Sequence, residues 1–271
     1  MTVKTVLITG AAGDVGQRLA PLLADGYRLR LSDLKAPAGM APGMEFVPAD
    51  LSDLGQVEKA VAGIDGIVHL GGYSIEGPWE TILSANIAGC YNLFEAAHRH
   101  RVERIVFASS NHAVGFYPRS HKIRTDVTLR PDTRYGVSKA FGEAVGALYA
   151  FKHGMRVTCL RIGNVADAPV DRRRLSIWIS PTDLAQLVRI GLDHPNIRFE
   201  VFYGASDNER AWWDNSNARR HGYRPTGRGE AHSDAALAAD AGREPDRIAD
   251  WYQGGPFCSD EYDSDDYLAE K

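Results

Sequence analysis

Tyr135 and Lys139 stand four residues apart in Tyr-Gly-Val-Ser-Lys. On a helix that spacing puts both side chains on one face, about 5–6 Å apart at Cβ. A free tyrosine titrates near pKa ~10, so a tyrosine that takes a proton at neutral pH needs a nearby cation that favours phenolate. Lys139 is one such cation, and the positive ring of an oxidised nicotinamide would be another. Ser110 lies 25 residues before Tyr135 and is suited to hydrogen-bond the same substrate oxygen. The three together read as proton-transfer machinery for an alcohol or a carbonyl. An isolated Tyr-x-x-x-Lys is often only a surface pair, so the reading depends on what precedes it.

What precedes it is Gly10-Ala-Ala-Gly13-Asp14-Val15-Gly16, placed between a β-rich run and a helical one. Glycines in a strand–turn–helix unit allow a tight turn, close approach of backbone to a pyrophosphate and close helix–strand packing. The helix N-terminus adds free N–H groups and partial positive charge. Gly10, Gly13, Asp14, Val15 and Gly16 are therefore expected cofactor contacts. Asp33, 23 residues after Gly10, is placed to accept from ribose hydroxyls and to repel a 2′-phosphate, which favours NAD over NADP. Lys35 nearby pulls the other way. Asp50-Leu51 and Leu70-Gly71-Gly72 end two further strands, the first suited to an adenine amino group and the second letting the cofactor pass.

These residues need strands to hold them. β-rich runs fall at 5–9, 27–32, 45–47, 67–70, 104–108 and 156–161, with helical runs at 15–24, 53–62, 78–98 and 133–153 between them. Ser52 is the expected cap of the second helix. Six strands alternating with helices predict an α/β fold, a Rossmann doubly wound parallel sheet whose ligand lies at the carboxyl ends of the strands. Beyond Arg161 the alternation loosens. Ser180-Pro-Thr-Asp183 starts a helix, capped by Ser with Pro in first position, and Phe199–Tyr203 reads as one more strand. The expected organisation is a cofactor domain over 1–165 and a small C-terminal substrate-binding cap over 166–271, integrated with the same domain.

The chain has 271 residues and a formal charge of −4. Six acids and one base fall in the last 14 residues, an acidic tail from about Cys258, so the body is near neutral. That leaves no basic footprint for nucleic acid. No apolar run reaches the ~18 residues of a bilayer span, and the N-terminus lacks signal-peptide architecture. Three widely spaced cysteines fit a reducing cytoplasm and unpaired thiols. No cysteine knuckle exists, and His98 and His100, two apart on a helix, do not face each other, so no metal is expected. Glycine is abundant at 27 residues, and 11 of these fall by residue 72, several at strand ends that must admit a dinucleotide.

The order of these motifs resembles the extended short-chain dehydrogenase/reductase superfamily, in its sugar-epimerase and dehydratase branch, over about residues 3–165. Asn86-Ile-Ala-Gly-Cys-Tyr-Asn-Leu is similar to that branch's central helix, whose first Asn helps order a proton-relay water. Asn86 takes that place, with simple backbone bonding as the alternative. A narrower resemblance, to the uronate dehydrogenases, covers nearly the whole chain. It is carried by Gly66-Ile-Val-His-Leu-Gly-Gly-Tyr-Ser74, Phe107-Ala-Ser-Ser-Asn-His112, Arg161-Ile162-Gly163, Arg173, Ser176-Ile-Trp178, Trp212-Trp-Asp-Asn215 and Gln253-Gly-Gly-Pro-Phe257. The Ser-Ser-Asn-His block is the most specific, because most of the superfamily has small or apolar residues after the serine.

This resemblance implies NAD-dependent oxidation of glucuronate and galacturonate at C1 to an aldaric acid lactone, in a self-associating enzyme. It also implies that Ile162 lies against the cofactor and that Arg173, in the run Arg172-Arg173-Arg174, pairs with the substrate carboxylate. Arginine grips a carboxylate bidentately. Ser74, Ser110, Asn111 and His112 are polar groups expected at strand ends facing the same crevice, suited to sugar hydroxyls. Asn164 stands where that family usually has a small hydroxyl residue. Trp212 and Trp213 read as packing for the C-terminal part. Two other functions stay open on sequence: a nucleotide-sugar epimerase or dehydratase, and a non-catalytic dinucleotide sensor. About 105 residues follow the sixth strand, few for a domain that must enclose a nucleotide diphosphate.

Overall fold

The computed structural model describes residues 3–264; the end of the acidic tail, from 265 on, lies outside the described residues. The first unit is β1 (Thr5–Thr9) and α1 (Asp14–Leu23), then β2 (Arg28–Ser32), β3 (Glu45–Phe46), α2 (Leu54–Val61) and β4 (Gly66–His69). A helical run follows as α3 (Trp79–Ile82), a π-helical stretch Leu83–Ala88 and α4 (Gly89–Arg99). The remaining principal elements are β5 (Arg104–Ser110), α5 (Arg134–His153), β6 (Arg156–Ile162), β7 (Asn164–Val165), α6 (Arg174–Ile177), β8 (Trp178–Ile179), α7 (Pro181–Asp193) and β9 (Phe199–Gly204).

Seven strands form one parallel sheet in the order β3-β2-β1-β4-β5-β6-β9. The doubly wound sheet expected from the six alternating strands is therefore present, and the Phe199 run joins it as a seventh strand beside β6. The order reverses between β1 and β4, which is where a doubly wound sheet opens its crevice. Alternation along β1 feeds two cores. Val6 and Ile8 pack with Leu19, Leu23, Leu184 and Val188 of α1 and α7. Leu7 packs with Val57, Leu93, Phe94, Val145 and Tyr149 of α2, α4 and α5. A strand buried on both faces needs such a continuous apolar run.

Two local expectations are corrected. The cap of α2 is Asp53, whose carboxylate accepts from Gln56 N at 3.1 Å. Ser52 instead donates its hydroxyl to Asp50 at 2.8 Å, because it lies inside the turn that Asp50 opens, where its backbone N also donates to the Asp50 carboxylate. The helix expected over 78–98 is interrupted by the π-helical stretch, whose wider turn carries Asn86. Ser180 does cap α7, accepting from Asp183 N. Among the described residues no helix is long and apolar enough to cross a membrane.

His69, at the end of β4, is 2 % exposed and shares a 2.7 Å hydrogen bond with Thr9 Oγ1. Burial, aided by the Lys139 charge, pulls its imidazole down to about 3. Between that value and the ordinary ~6.5 the unfolded chain binds a proton that the folded chain refuses, so stability must fall as pH falls through this window and is fully present above it. Denaturant unfolding at pH 7 and pH 5 should show a loss about 2 kcal/mol larger for the native protein than for His69→Gln, at up to ~1.4 kcal/mol per pH unit. Parallel slopes for the two proteins would refute this.

Candidate active site

The glycine turn is built as its composition requires. Gly10 has φ +66, and a Cβ on it would lie 2.7 Å from Gly71 N, so β1 and β4 end in contact across the crevice. A Cβ on Gly16 would lie 2.5 Å from Gly10 O, which lets α1 start hard against the strand. Asp33, just past β2, accepts from Ala12 N at 3.0 Å and from Leu34 N at 2.7 Å. Its carboxylate thus also braces the glycine turn, a second task that its position in sequence did not reveal.

Two adjoining cavities open at the carboxyl ends of the strands. The larger, about 490 Å³, is lined by Gly10, Gly13, Asp14, Val15 and Gly16 of the turn, and by Asp33, Asp50 and Leu51 beyond β2 and β3. Leu70, Gly71 and Gly72 form its opposite wall. The smaller, about 270 Å³, shares Asp14, Val15, Leu70, Gly72 and Ser74 with it and continues to Ser110, Tyr135, Lys139, Ile162 and Asn164. One cleft therefore runs from Asp33 to Tyr135. The bare backbone at Gly10, Gly13 and Gly16, with Asp33 at one end, fits a dinucleotide.

Helix α5 is anchored at its start. Tyr135 N donates to Glu76 Oε2 at 2.8 Å, Arg134 pairs with Glu76 at 2.7 Å, and Thr133 caps the helix by accepting from Gly136 N. Lys139 lies one turn on, its Nζ donating to Ala108 O at 2.8 Å and standing 5.4 Å from the centre of the Tyr135 ring. It reaches β5 because α5 rides close to the sheet: a Cβ on Gly142 would sit 2.2 Å from the Phe107 ring. A buried ion pair clamps the same helix to the sheet. Arg161 Nε and Nη2 each donate to a Glu143 oxygen at 2.9 Å, and Ser109 donates to Glu143 at 2.6 Å.

The remaining expected residues divide. Ser110 lines the smaller cavity and accepts from His112 N at 3.2 Å. Asn111, His112 and Arg173, expected to face the crevice, do not line it; they adjoin Ser110 and Ile162 of its wall. With its carboxamide in the orientation that satisfies both ends, Asn111 donates through Nδ2 to Ile162 O at 3.1 Å and accepts through Oδ1 from Arg173 Nη2 at 3.2 Å. Arg173 Nε donates to Gln253 O at 3.0 Å. Burial pulls the Arg173 guanidinium down to about 10, with the Arg119 and Arg174 charges adding to it. Its neighbours in sequence have other partners: Arg172 pairs with Asp240 and Arg174 with Asp171.

Asn86 takes the backbone-bonding alternative. Its Oδ1 accepts from Tyr73 N at 2.7 Å, and its Nδ2 donates to Tyr73 O and to Ser138 Oγ. The carboxamide holds the Tyr73 loop against α5. Trp213 stacks on Tyr203 with ring centres 4.8 Å apart and donates to Gln253 Oε1, and Trp212 carries Arg119 on its face. Both are packing, as their place in the sequence suggested. Residues that sequence reading missed are Glu76, Glu143 and Asp132. Asp132 could have been noticed as an acid three residues before the tyrosine, at the mouth of a helix.

A family model described as the NAD dependent epimerase/dehydratase family matches residues 6–190. The chain belongs to this family. Over 258 residues it is 42% identical to the uronate dehydrogenase of Pseudomonas putida, covering 93% of this chain and 95% of that protein. Two solved structures are similar throughout. A mutant of uronate dehydrogenase from Agrobacterium tumefaciens, complexed with NAD, has a TM-score of 0.91 and 41% identity, covering 95% of this chain and 98% of that one. The glucuronic acid dehydrogenase of Chromohalobacter salexigens also has a TM-score of 0.91 and 41% identity, covering 95% of this chain and 97% of that one. Tyr135 and Lys139 line the cleft at the end where Ser110 and Asn164 also line the wall.

Proposed function

We infer that this chain is an NAD-dependent uronate dehydrogenase that oxidises hexuronates such as glucuronate and galacturonate at C1, releasing an aldaric acid lactone. The observation that carries the reading is the adjacency of a Tyr–Lys–Ser wall to a half-buried arginine held by Asn111. The 41–42% identity to uronate dehydrogenases over nearly the full chain supports it. The residues that would hold NAD are Gly10, Gly13 and Gly16 at the pyrophosphate, Asp33 at the ribose, Asp50 and Leu51 at the adenine, and Lys139 and Ile162 toward the nicotinamide. When bound, NAD supplies the acceptor for the hydride that leaves C1.

Tyr135, as phenolate, takes the proton of the C1 hydroxyl. Ser110 donates a hydrogen bond to the same oxygen, whose charge grows as the proton leaves. Lys139 brings a cation to 5.4 Å from the centre of the Tyr135 ring. Arg173 orients the sugar through its carboxylate, Asn111 holds Arg173, and Ser74, His112 and Asn164 are left for the hydroxyls. The pyranose ring stays closed, so C1 becomes a lactone carbonyl and no hydrolytic residue is needed.

An absorbance assay for NADH across uronates and neutral aldoses tests the reading. Glucuronate and galacturonate should be oxidised with NAD, and NADP should serve poorly. Absence of NADH with every uronate would overturn it. Asp33→Asn should raise the KM for NAD about tenfold, the worth of one hydrogen bond to a charged group at ~1.5 kcal/mol, and should narrow the preference over NADP. An unchanged ratio of kcat/KM for the two cofactors would refute the ribose role.

A further inference from the structure

We propose that Asp132 is a positioning residue. It fixes His112 in the tautomer that carries its proton on Nδ1, so that Nε2 is left as the acceptor for a sugar hydroxyl. The inference rests on the reading of the site given above.

His112 Nδ1 and Asp132 Oδ2 are 2.7 Å apart. A carboxylate has no hydrogen to offer, so the ring nitrogen must be the donor. The Asp132 side chain is wholly enclosed at 0% exposure, while His112 keeps 11%. Enclosing a carboxylate is costly unless it is paired and hydrogen-bonded. This one also accepts from Thr133 Oγ1 at 3.0 Å and lies 3.8 Å from Cys258 Sγ. Its space is made by glycines from two segments. A Cβ on Gly115 would lie 1.9 Å from Oδ2, and one on Gly254 would lie 2.0 Å from it. A fold that needed only filled volume there would gain more from an apolar side chain between ordinary residues.

The imidazole is fixed on its other sides as well. Phe257 stacks on it with ring centres 4.0 Å apart, and the Tyr135 ring meets it edge-on at 5.9 Å. The His112 backbone N donates to Ser110 Oγ, and Asp132 N donates to His112 O at 3.2 Å. Among the described residues no protein group bonds Nε2. One ring nitrogen is therefore committed to the protein, and the other is free beside the tyrosine. A neutral histidine bonded in this way has its tautomer set by the partner of the first nitrogen.

The test combines a variant cycle with a spectroscopic readout. In the native protein at alkaline pH, the 15N spectrum of His112, assigned by the signals lost in His112→Gln, should show Nδ1 protonated and Nε2 bare. Protonated Nε2 would overturn the proposal, with no variant of Asp132 needed. Asp132→Asn, nearly isosteric, should lower kcat/KM for glucuronate about 10–100-fold and leave the Kd for NAD within about twofold. In a His112→Ala background the same change should cost under threefold, since a residue that acts only through His112 has nothing left to position. Equal losses in both backgrounds, or an unimpaired Asp132→Asn, would refute it. If the native protein oxidises no uronate, the functional reading fails while the 15N result still decides the tautomer.

Discussion

Replacing Tyr135 with phenylalanine should stop NADH formation from glucuronate, lowering kcat by at least a thousandfold while the Kd for NAD stays within about twofold. The change removes one oxygen. The ring it leaves is held by its surroundings: Tyr135 is 8% exposed, flanked by the His112 ring at 5.9 Å and the Phe257 ring at 6.4 Å. The backbone at this position is fixed by Glu76 and by the Thr133 cap, neither of which involves the phenol. The fold should therefore be indifferent, and a thermal midpoint within about 2 °C of the native value would show it. A positioned general base contributes about 10²–10⁴ in rate. Here Tyr135 is the proton acceptor of the proposed reaction and Phe offers no substitute for it, so the loss belongs at the upper end. Fluorescence titration with NAD, run beside the turnover assay, separates chemistry from binding. Turnover within tenfold of native would remove Tyr135 from the mechanism. Growth of free NADH in the native protein also distinguishes net oxidation from epimerisation, in which the hydride returns to the sugar.

The sequence made the cofactor half of the cleft legible because strand-end glycines and acids are local signals. Gly10 and Gly16 are explained by backbone contacts that few other residues permit, and Tyr135 and Lys139 share a face by helical period alone. The wall behind the smaller cavity was harder to read, since it is assembled from distant segments. Arg173 meets Asn111 and Gln253, separated from it by 62 and 80 residues. Asp132 is defined by glycines at 115 and 254. No spacing rule connects such positions, and only resemblance pointed to Arg173 at all. Asn86 illustrates the opposite limit. Its place on the central helix was foreseen, but the three bonds that occupy its carboxamide depend on how the Tyr73 loop closes.

Arg173→Ala should lower kcat/KM for glucuronate by about 10²–10³ and change any slow oxidation of galactose by less than threefold. The guanidinium is tethered through Nε to Gln253 O at 3.0 Å and through Nη2 to Asn111 Oδ1 at 3.2 Å. A Cβ on Gly255 would press within 2.4 Å of Nε, so the C-terminal segment is shaped around this side chain. Desolvation, with Arg119 and Arg174 near, pulls the guanidinium down to about 10 against the opposing charge of Asp132, so it keeps its charge at neutral pH. An arriving carboxylate adds a direct partner. Losing one partner of such a buried pair costs about 2–5 kcal/mol, and 3–4 kcal/mol corresponds to the range stated at about 1.4 kcal/mol per tenfold. A neutral sugar brings no carboxylate and forfeits nothing of this kind when the cation goes. Arg173→Lys should recover only part of the loss, because an ammonium cannot hold Gln253 and Asn111 and still present a planar fork. Equal losses on glucuronate and galactose would show that Arg173 supports the wall without reading the carboxylate.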